Sequence, residues 1–178
     1  MDVRGGVGHA VLFSVKMEQT MQPRIDHRKL SPGAMNAMLG LEKYLHTCGL
    51  PEKLLHLIKL RVSQINGCAY CIDMHSKDLR AVGDTEQRLY LLDAWHEAPF
   101  YTEQERAALA WAEAVTCVTE GHVPDAVYEQ ARRQFSEEEL VNLTLAVVTI
   151  NGWNRLSIAF RSVPGAYQPQ HHEARLAA

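Results

Sequence analysis

Residues 51–83 read PEKLLHLIKLRVSQINGCAYCIDMHSKDLRAVG, and their spacing decides the fold class. After Pro51, the residues Leu54, Ile58, Val62 and Ile65 recur at steps of three and four, with Leu57 alongside, which gives a helix one apolar face. Asn66-Gly67 should end that helix, because these residue types best tolerate the left-handed backbone past a helix terminus. A second helix is expected to start at once, with Cys68 in its first turn, and to run to Val82, where Gly83 stops it. The alternation that marks a half-buried strand does not take hold anywhere in the stretch.

The same punctuation repeats outward. Ser31-Pro32 has the form of an N-cap followed by proline at the first helical position, and opens a helix over about 31–48. Thr85 and Arg88 bracket the start of a short helix reaching about Trp95. Two capping boxes, Thr102-Glu103-Gln104-Glu105 and Ser136-Glu137-Glu138-Glu139, start helices at about 103–118 and 137–162, and Pro124 begins a shorter one between them. The last long segment is apolar around most of its circumference, as a central helix is, and Asn151-Gly152 is the place for a kink. The expectation is a compact all-α fold of about six to eight helices, with one domain over 21–165. Residues 1–20 read as a loose extension and 166–178 as a tail without periodicity.

Composition narrows the function. With 47% apolar and 22% charged residues the chain is ordinary for a globular protein, and a formal charge of -3 offers no footprint for nucleic acid or an anionic membrane. The apolar run at 140–150 is interrupted by Asn142, Thr144 and Thr149 and falls short of the roughly 20 residues that a spanning helix needs. The short apolar stretch at 10–15 has no cleavage site behind it, so a cytoplasmic protein is expected. Cysteines at 48, 68, 71 and 117 are too few for a secreted disulfide scaffold, and in a cytoplasmic chain a close pair means redox or metal chemistry. Cys48, Cys117, Trp111 and Trp153 read as core residues, and His27 and His46 as surface residues. His96 at a helix end and His122 before a helix start read the same structural way.

The stretch from Asn66 to His75 is where the chemistry concentrates. Steps of three and four bring Cys68, Cys71 and His75 onto one helix face. A cysteine in the first turn meets unpaired backbone N–H groups and the positive end of the helix dipole, which favour a thiolate, the nucleophilic form. Cys71 and His75, four apart, are placed to hydrogen-bond, so His75 can take the thiol proton and return one to the leaving oxygen of a cleaved O–O bond. Two other readings stay open from the residues alone. The pair could be two half-buried core cysteines, or Cys68, Cys71 and His75 could bind zinc with a fourth ligand from elsewhere or switch an interface as a redox sensor.

The run from Leu60 to His75 resembles the core of the AhpD-like alkylhydroperoxidases, within the carboxymuconolactone decarboxylase superfamily. The likeness extends more loosely through Arg88-Leu89-Tyr90, the segment Glu105 to Trp111, and Asn151-Gly152-Trp153-Asn154-Arg155, and so covers about 21–165. It implies an all-α fold assembled as trimers or hexamers. It also implies a thiol-dependent hydroperoxide reductase with no bound cofactor, acting on a small hydroperoxide and recharged by an external dithiol or thioredoxin-like reductant. Cys71 is then the peroxidatic residue, Cys68 the resolving residue, and His75 part of a proton relay. The family places a glutamate at the far end of that relay, where this chain has His56, so the relay is expected to run through an imidazole or through Glu52 or Glu105. The decarboxylase branch lacks the cysteine pair, and its lactone chemistry is the remaining alternative.

Overall fold

Caps and glycines set the helix boundaries. The computed structural model describes residues 21–169, and within them eight α-helices follow one another with no strand. They are α1 (His27–Leu30), α2 (Pro32–Leu45), α3 (Glu52–Ile65), α4 (Ala69–Ala81), α5 (Glu86–Tyr90), α6 (Glu103–Thr116), α7 (Asp125–Arg132) and α8 (Glu137–Phe160). Both capping boxes close: Thr102 and Ser136 each accept from the amide three residues on, and Glu105 and Glu139 reach back to the cap amides at 2.8 Å. The expected all-α fold is the one observed. The extension at 1–20 and most of the tail, from residue 170 onward, lie outside the described residues.

Three boundaries differ from expectation. The helix opened by Pro32 stops at Leu45 rather than near residue 48, and a turn carries the chain to Pro51. The segment expected to be one helix from Thr85 to Trp95 is α5 followed by a 3-10 turn at Leu92–Ala94. In a 3-10 turn residues three apart eclipse, which here sends Leu92 and Trp95 together into the core. Finally, α8 passes through Asn151-Gly152 without a break. The glycine serves packing: a Cβ there would stand 2.9 Å from Cε of Met38, so its absence lets α2 close on α8.

Two helices are central. α8 presents Leu143, Ala146, Val147 and Ile150 to the larger core, which also takes Leu54, Ile58 and Val62 from α3. Each such fully buried aliphatic side chain contributes about 2 kcal/mol of hydrophobic stabilisation. α3 turns Leu57 and Leu60 to a second, smaller core with Leu79, Leu92, Trp95 and Leu109. Its remaining face carries His56, Lys59 and Ser63, buried and polar, at the three- and four-residue spacing that lines them up. Among the described residues no helix is long and apolar enough to cross a membrane.

Candidate active site

The α3–α4 junction builds the cysteine pair. Gly67 adopts φ 66°, the amide of Cys68 donates to Ser63 O at 3.0 Å, and the amide of Gly67 donates to Gln64 O at 3.1 Å, which together make a Schellman C-cap on α3. Cys68 follows as the N-cap of α4, one position earlier than the first turn expected for it. Cys71 is then the third helical residue, so the two cysteines occupy the N-cap and N3 positions that face one another in a capping box. Their sulfurs lie 2.8 Å apart, both thiols free and each 1% exposed.

That contact separates the two thiols electrically. The hydrogen bond shared with Cys71 lowers the pKa of Cys68 to about 7, against burial, which raises it. The Cys71 thiol moves the other way, because its proton is held by Cys68 and its site is buried. Asn154 and Ser157 of α8 favour a thiolate on either sulfur, and Cys71 Sγ approaches Ser157 Oγ at 3.8 Å. Asn154 is itself fixed, donating to Ser63 Oγ at 3.1 Å and accepting from Asn66 at 2.8 Å. Of the two sulfurs, Cys68 is therefore the one that more readily carries a thiolate.

His75 is one turn beyond Cys71, 3% exposed, and its Nε2 has no hydrogen-bond partner. The Cys71–His75 hydrogen bond expected from the spacing is not made. The other ring nitrogen, Nδ1, faces Nδ1 of His56 at 3.4 Å and Oδ2 of Asp78 at 3.7 Å. His56 in turn faces Asp78 Oδ2 at 3.7 Å and Glu52 Oε1 at 3.6 Å. Burial pushes the pKa of His56 down to about 4 and lowers that of His75, so both rings are neutral near neutral pH. Tyr167 donates to Asp78 Oδ1 at 2.6 Å and packs the segment after α8 against α4. Asp78 is held ionised below its ordinary value, since its hydrogen bonds to His75 and Tyr167 outweigh the opposing effect of burial.

A cavity of roughly 480 Å³ opens onto this cluster. Cys71, His75, His56 and Asp78 line it and Cys68 does not, so Cys71 is the sulfur that a small molecule in the cavity meets. Across it stand Lys59 and Glu42, joined at 2.5 Å, with Trp153 donating to Glu42 at 3.0 Å. Trp153, expected to be a core anchor, and His27 and His46, expected on the surface, all contribute to this wall. Of the two carboxylates expected to replace the family glutamate, Glu52 is at the site, whereas Glu105 caps α6 and pairs with Arg88. Asp78 is the carboxylate that sequence reading passed over, although its place three residues after His75 on one helix was a usable signal.

Comparison with known proteins identifies the family of the chain. Residues 32–114 match the carboxymuconolactone decarboxylase family. The uncharacterized protein YdfG of Bacillus subtilis (strain 168) is 45% identical over 139 residues, spanning 78% of this chain and 95% of YdfG. The crystal structure of ATU0492 from Agrobacterium tumefaciens, a protein of unknown function proposed as an antioxidant defence protein AhpD, superposes with a TM-score of 0.79. It is 47% identical over 82% of this chain and 100% of that one. The debrominase Bmp8 is 25% identical with a TM-score of 0.70, covering 78% of this chain and 74% of its own. The chain thus belongs to the carboxymuconolactone decarboxylase family, in its AhpD-like group.

Proposed function

We propose that the protein is a two-cysteine hydroperoxide reductase in which Cys71 attacks the peroxide and Cys68 resolves the product. The observation that carries this reading is the pair of free thiols 2.8 Å apart with only Cys71 on the cavity wall. The shared hydrogen bond is the path by which the Cys71 proton passes to a Cys68 thiolate as a hydroperoxide enters. The Cys71 thiolate attacks the terminal peroxide oxygen and the O–O bond breaks; the terminal hydroxyl stays on sulfur as a sulfenic acid, and the leaving alkoxide takes a proton relayed from solvent through His75. The Cys68 thiol then condenses with the sulfenic acid, forming the disulfide and releasing water. Sulfur–sulfur bonding distance is about 2.05 Å, so the step needs little motion of the pair. An external dithiol, such as a thioredoxin-like protein, reduces the disulfide by exchange.

Asp78 facing His75 Nδ1 supports the relay, since a carboxylate there holds the ring proton on Nδ1 and leaves Nε2 as an acceptor one turn from Cys71. Exposed Val141 and Val148 on α8 and Leu39 on α2 support a homo-oligomer. The test is consumption of cumene hydroperoxide and of hydrogen peroxide with a dithiol as reductant, comparing the wild type with Cys71→Ser. Turnover should vanish in the variant, and wild-type protein oxidised without reductant should lose two thiols per chain. Peroxide exposure without thiol loss, or an activity that survives Cys68→Ser/Cys71→Ser, would move the protein to the decarboxylase reading.

A further inference from the structure

Two imidazoles and a carboxylate meet between α3 and α4, and the atoms they turn toward each other form a nearly equilateral triangle. Nδ1 of His56 is 3.4 Å from Nδ1 of His75, and each is 3.7 Å from Oδ2 of Asp78. A point equidistant from three atoms so spaced lies about 2.1 Å from each, the bond length of zinc to imidazole nitrogen or carboxylate oxygen. All three side chains are buried, and His56, His75 and Asp78 form a group with ligand atoms near enough to share one ion. We infer that His56, His75 and Asp78 are the protein ligands of a divalent first-row transition cation of the Zn²⁺ type, at a site separate from the cysteine pair.

The surroundings are those of metal ligands. Glu52 Oε1 lies 3.6 Å from Nε2 of His56, which puts a carboxylate behind the ring on the side away from the triangle. Tyr167 occupies Oδ1 of Asp78 at 2.6 Å and so leaves Oδ2 to the centre. The charged groups facing the rings are the carboxylates of Asp78, Glu52 and Glu42 against the ammonium of Lys59, a balance that favours a cation. All three ligands line the cavity, which supplies an entry path and room for water as a fourth ligand.

The sulfurs fit a metal less well. Two thiolates on one tetrahedral zinc, with bonds of about 2.3 Å, stand about 3.7 Å apart, whereas Cys68 and Cys71 are 2.8 Å apart. A cation and the relay proton compete for Nδ1 of His75, so occupancy and peroxide turnover describe different states of one cluster. Binding is therefore measured without turnover, and its failure is separable from failure of the thiol reading.

The experiment is calorimetric titration of metal-free, full-length protein with Zn²⁺, first reduced and then with the cysteine pair oxidised to the disulfide. One equivalent per chain is expected in both forms, weakened at least about 10-fold by Asp78→Asn and by His56→Gln. Co²⁺ added to the reduced wild type identifies the ligands without any variant: weak d–d bands with no intense sulfur-to-cobalt charge transfer are expected. Loss of binding on oxidation, or a strong charge-transfer band, would assign the metal to the cysteines and overturn the inference. Absence of stoichiometric binding in both forms would overturn it as well.

Discussion

Among the described residues, the ionisable clusters around Arg88 and around His75 are built on opposite rules. Around Arg88 the charges are answered. Its guanidinium donates to Asp84 at 2.7 Å, to Glu105 at 2.6 Å and to the carbonyl of Phe100, and lies 4.7 Å from the centre of the Tyr101 ring. Asp84 also accepts from the amide of Thr85 at 2.8 Å and faces Lys53 at 3.5 Å; its Oδ2 has no hydrogen-bond partner, but the charge it shares is met at Oδ1. Around His75 the groups approach at 3.4 to 3.7 Å, longer than good hydrogen bonds, and Nε2 is left alone. The Arg88 cluster ties the α5 loop to α6. The His75 cluster opens on a cavity. Answered charge fixes a fold, while an unanswered nitrogen beside a cavity is available to a proton or an ion.

Breaking the first cluster should cost the most. Arg88→Met leaves the buried Asp84 carboxylate with only Lys53 at 3.5 Å and the Thr85 amide to answer it, and is expected to lower global stability by about 3 kcal/mol in chemical denaturation. The thiol titration of the variant, measured while it is still folded, should not change. A loss below about 1 kcal/mol would make this cluster equivalent to a surface ion pair and erase the contrast. His75→Gln tests the other side. Its amide can still face Asp78, so stability should change by about 1 kcal/mol or less, while peroxide turnover falls about 100-fold with the loss of acid–base transfer. A variant that lost stability and kept turnover would show His75 to be a packing residue.

Much of the fold was legible because local rules and tertiary packing agree. Thr102, Ser136, Pro32 and Gly67 each act where the sequence placed them, and the cysteine spacing predicted a contact that is made. What was not legible depends on which way a side chain turns. The spacing from Cys71 to His75 allows a hydrogen bond, yet the imidazole is drawn instead toward His56 on α3 and Asp78 on its own helix. Tyr167 reaches Asp78 from 89 positions away, in a segment with no periodicity, so no local pattern could announce it. No local pattern marks Lys59 as an interior residue, and only the packing of the helices shows that Glu42 neutralises it there. The break after Tyr90 likewise reflects the burial of Leu92 and Trp95, a tertiary demand that outweighs helix propensity.

The smallest expected effect sharpens the comparison within the cysteine pair itself. The donor that lowers Cys68 to about 7 is the Cys71 thiol, and the groups facing Cys68 from α8, Asn154 and Ser157, are uncharged. Four thiols are free, so the Cys68 ionisation is read as the difference in thiolate ultraviolet absorbance between the wild type and Cys68→Ala, and its midpoint should lie at about 7. Cys71→Ala removes the donor and should move that midpoint up toward the ordinary 9.0, whereas Cys71→Ser, whose hydroxyl can still donate, should keep most of the depression. The sign for stability follows from linkage. A depressed folded pKa means that the fold prefers the thiolate, so the contribution is complete above about 9 and is lost as pH falls through about 7. Wild-type protein should accordingly gain stability over Cys71→Ala between those two values and show no such gain below them. A midpoint that stays put in Cys71→Ala would locate the stabilising field in the α4 N-terminus rather than in the second thiol, and the first-turn dipole would replace the shared proton as the cause.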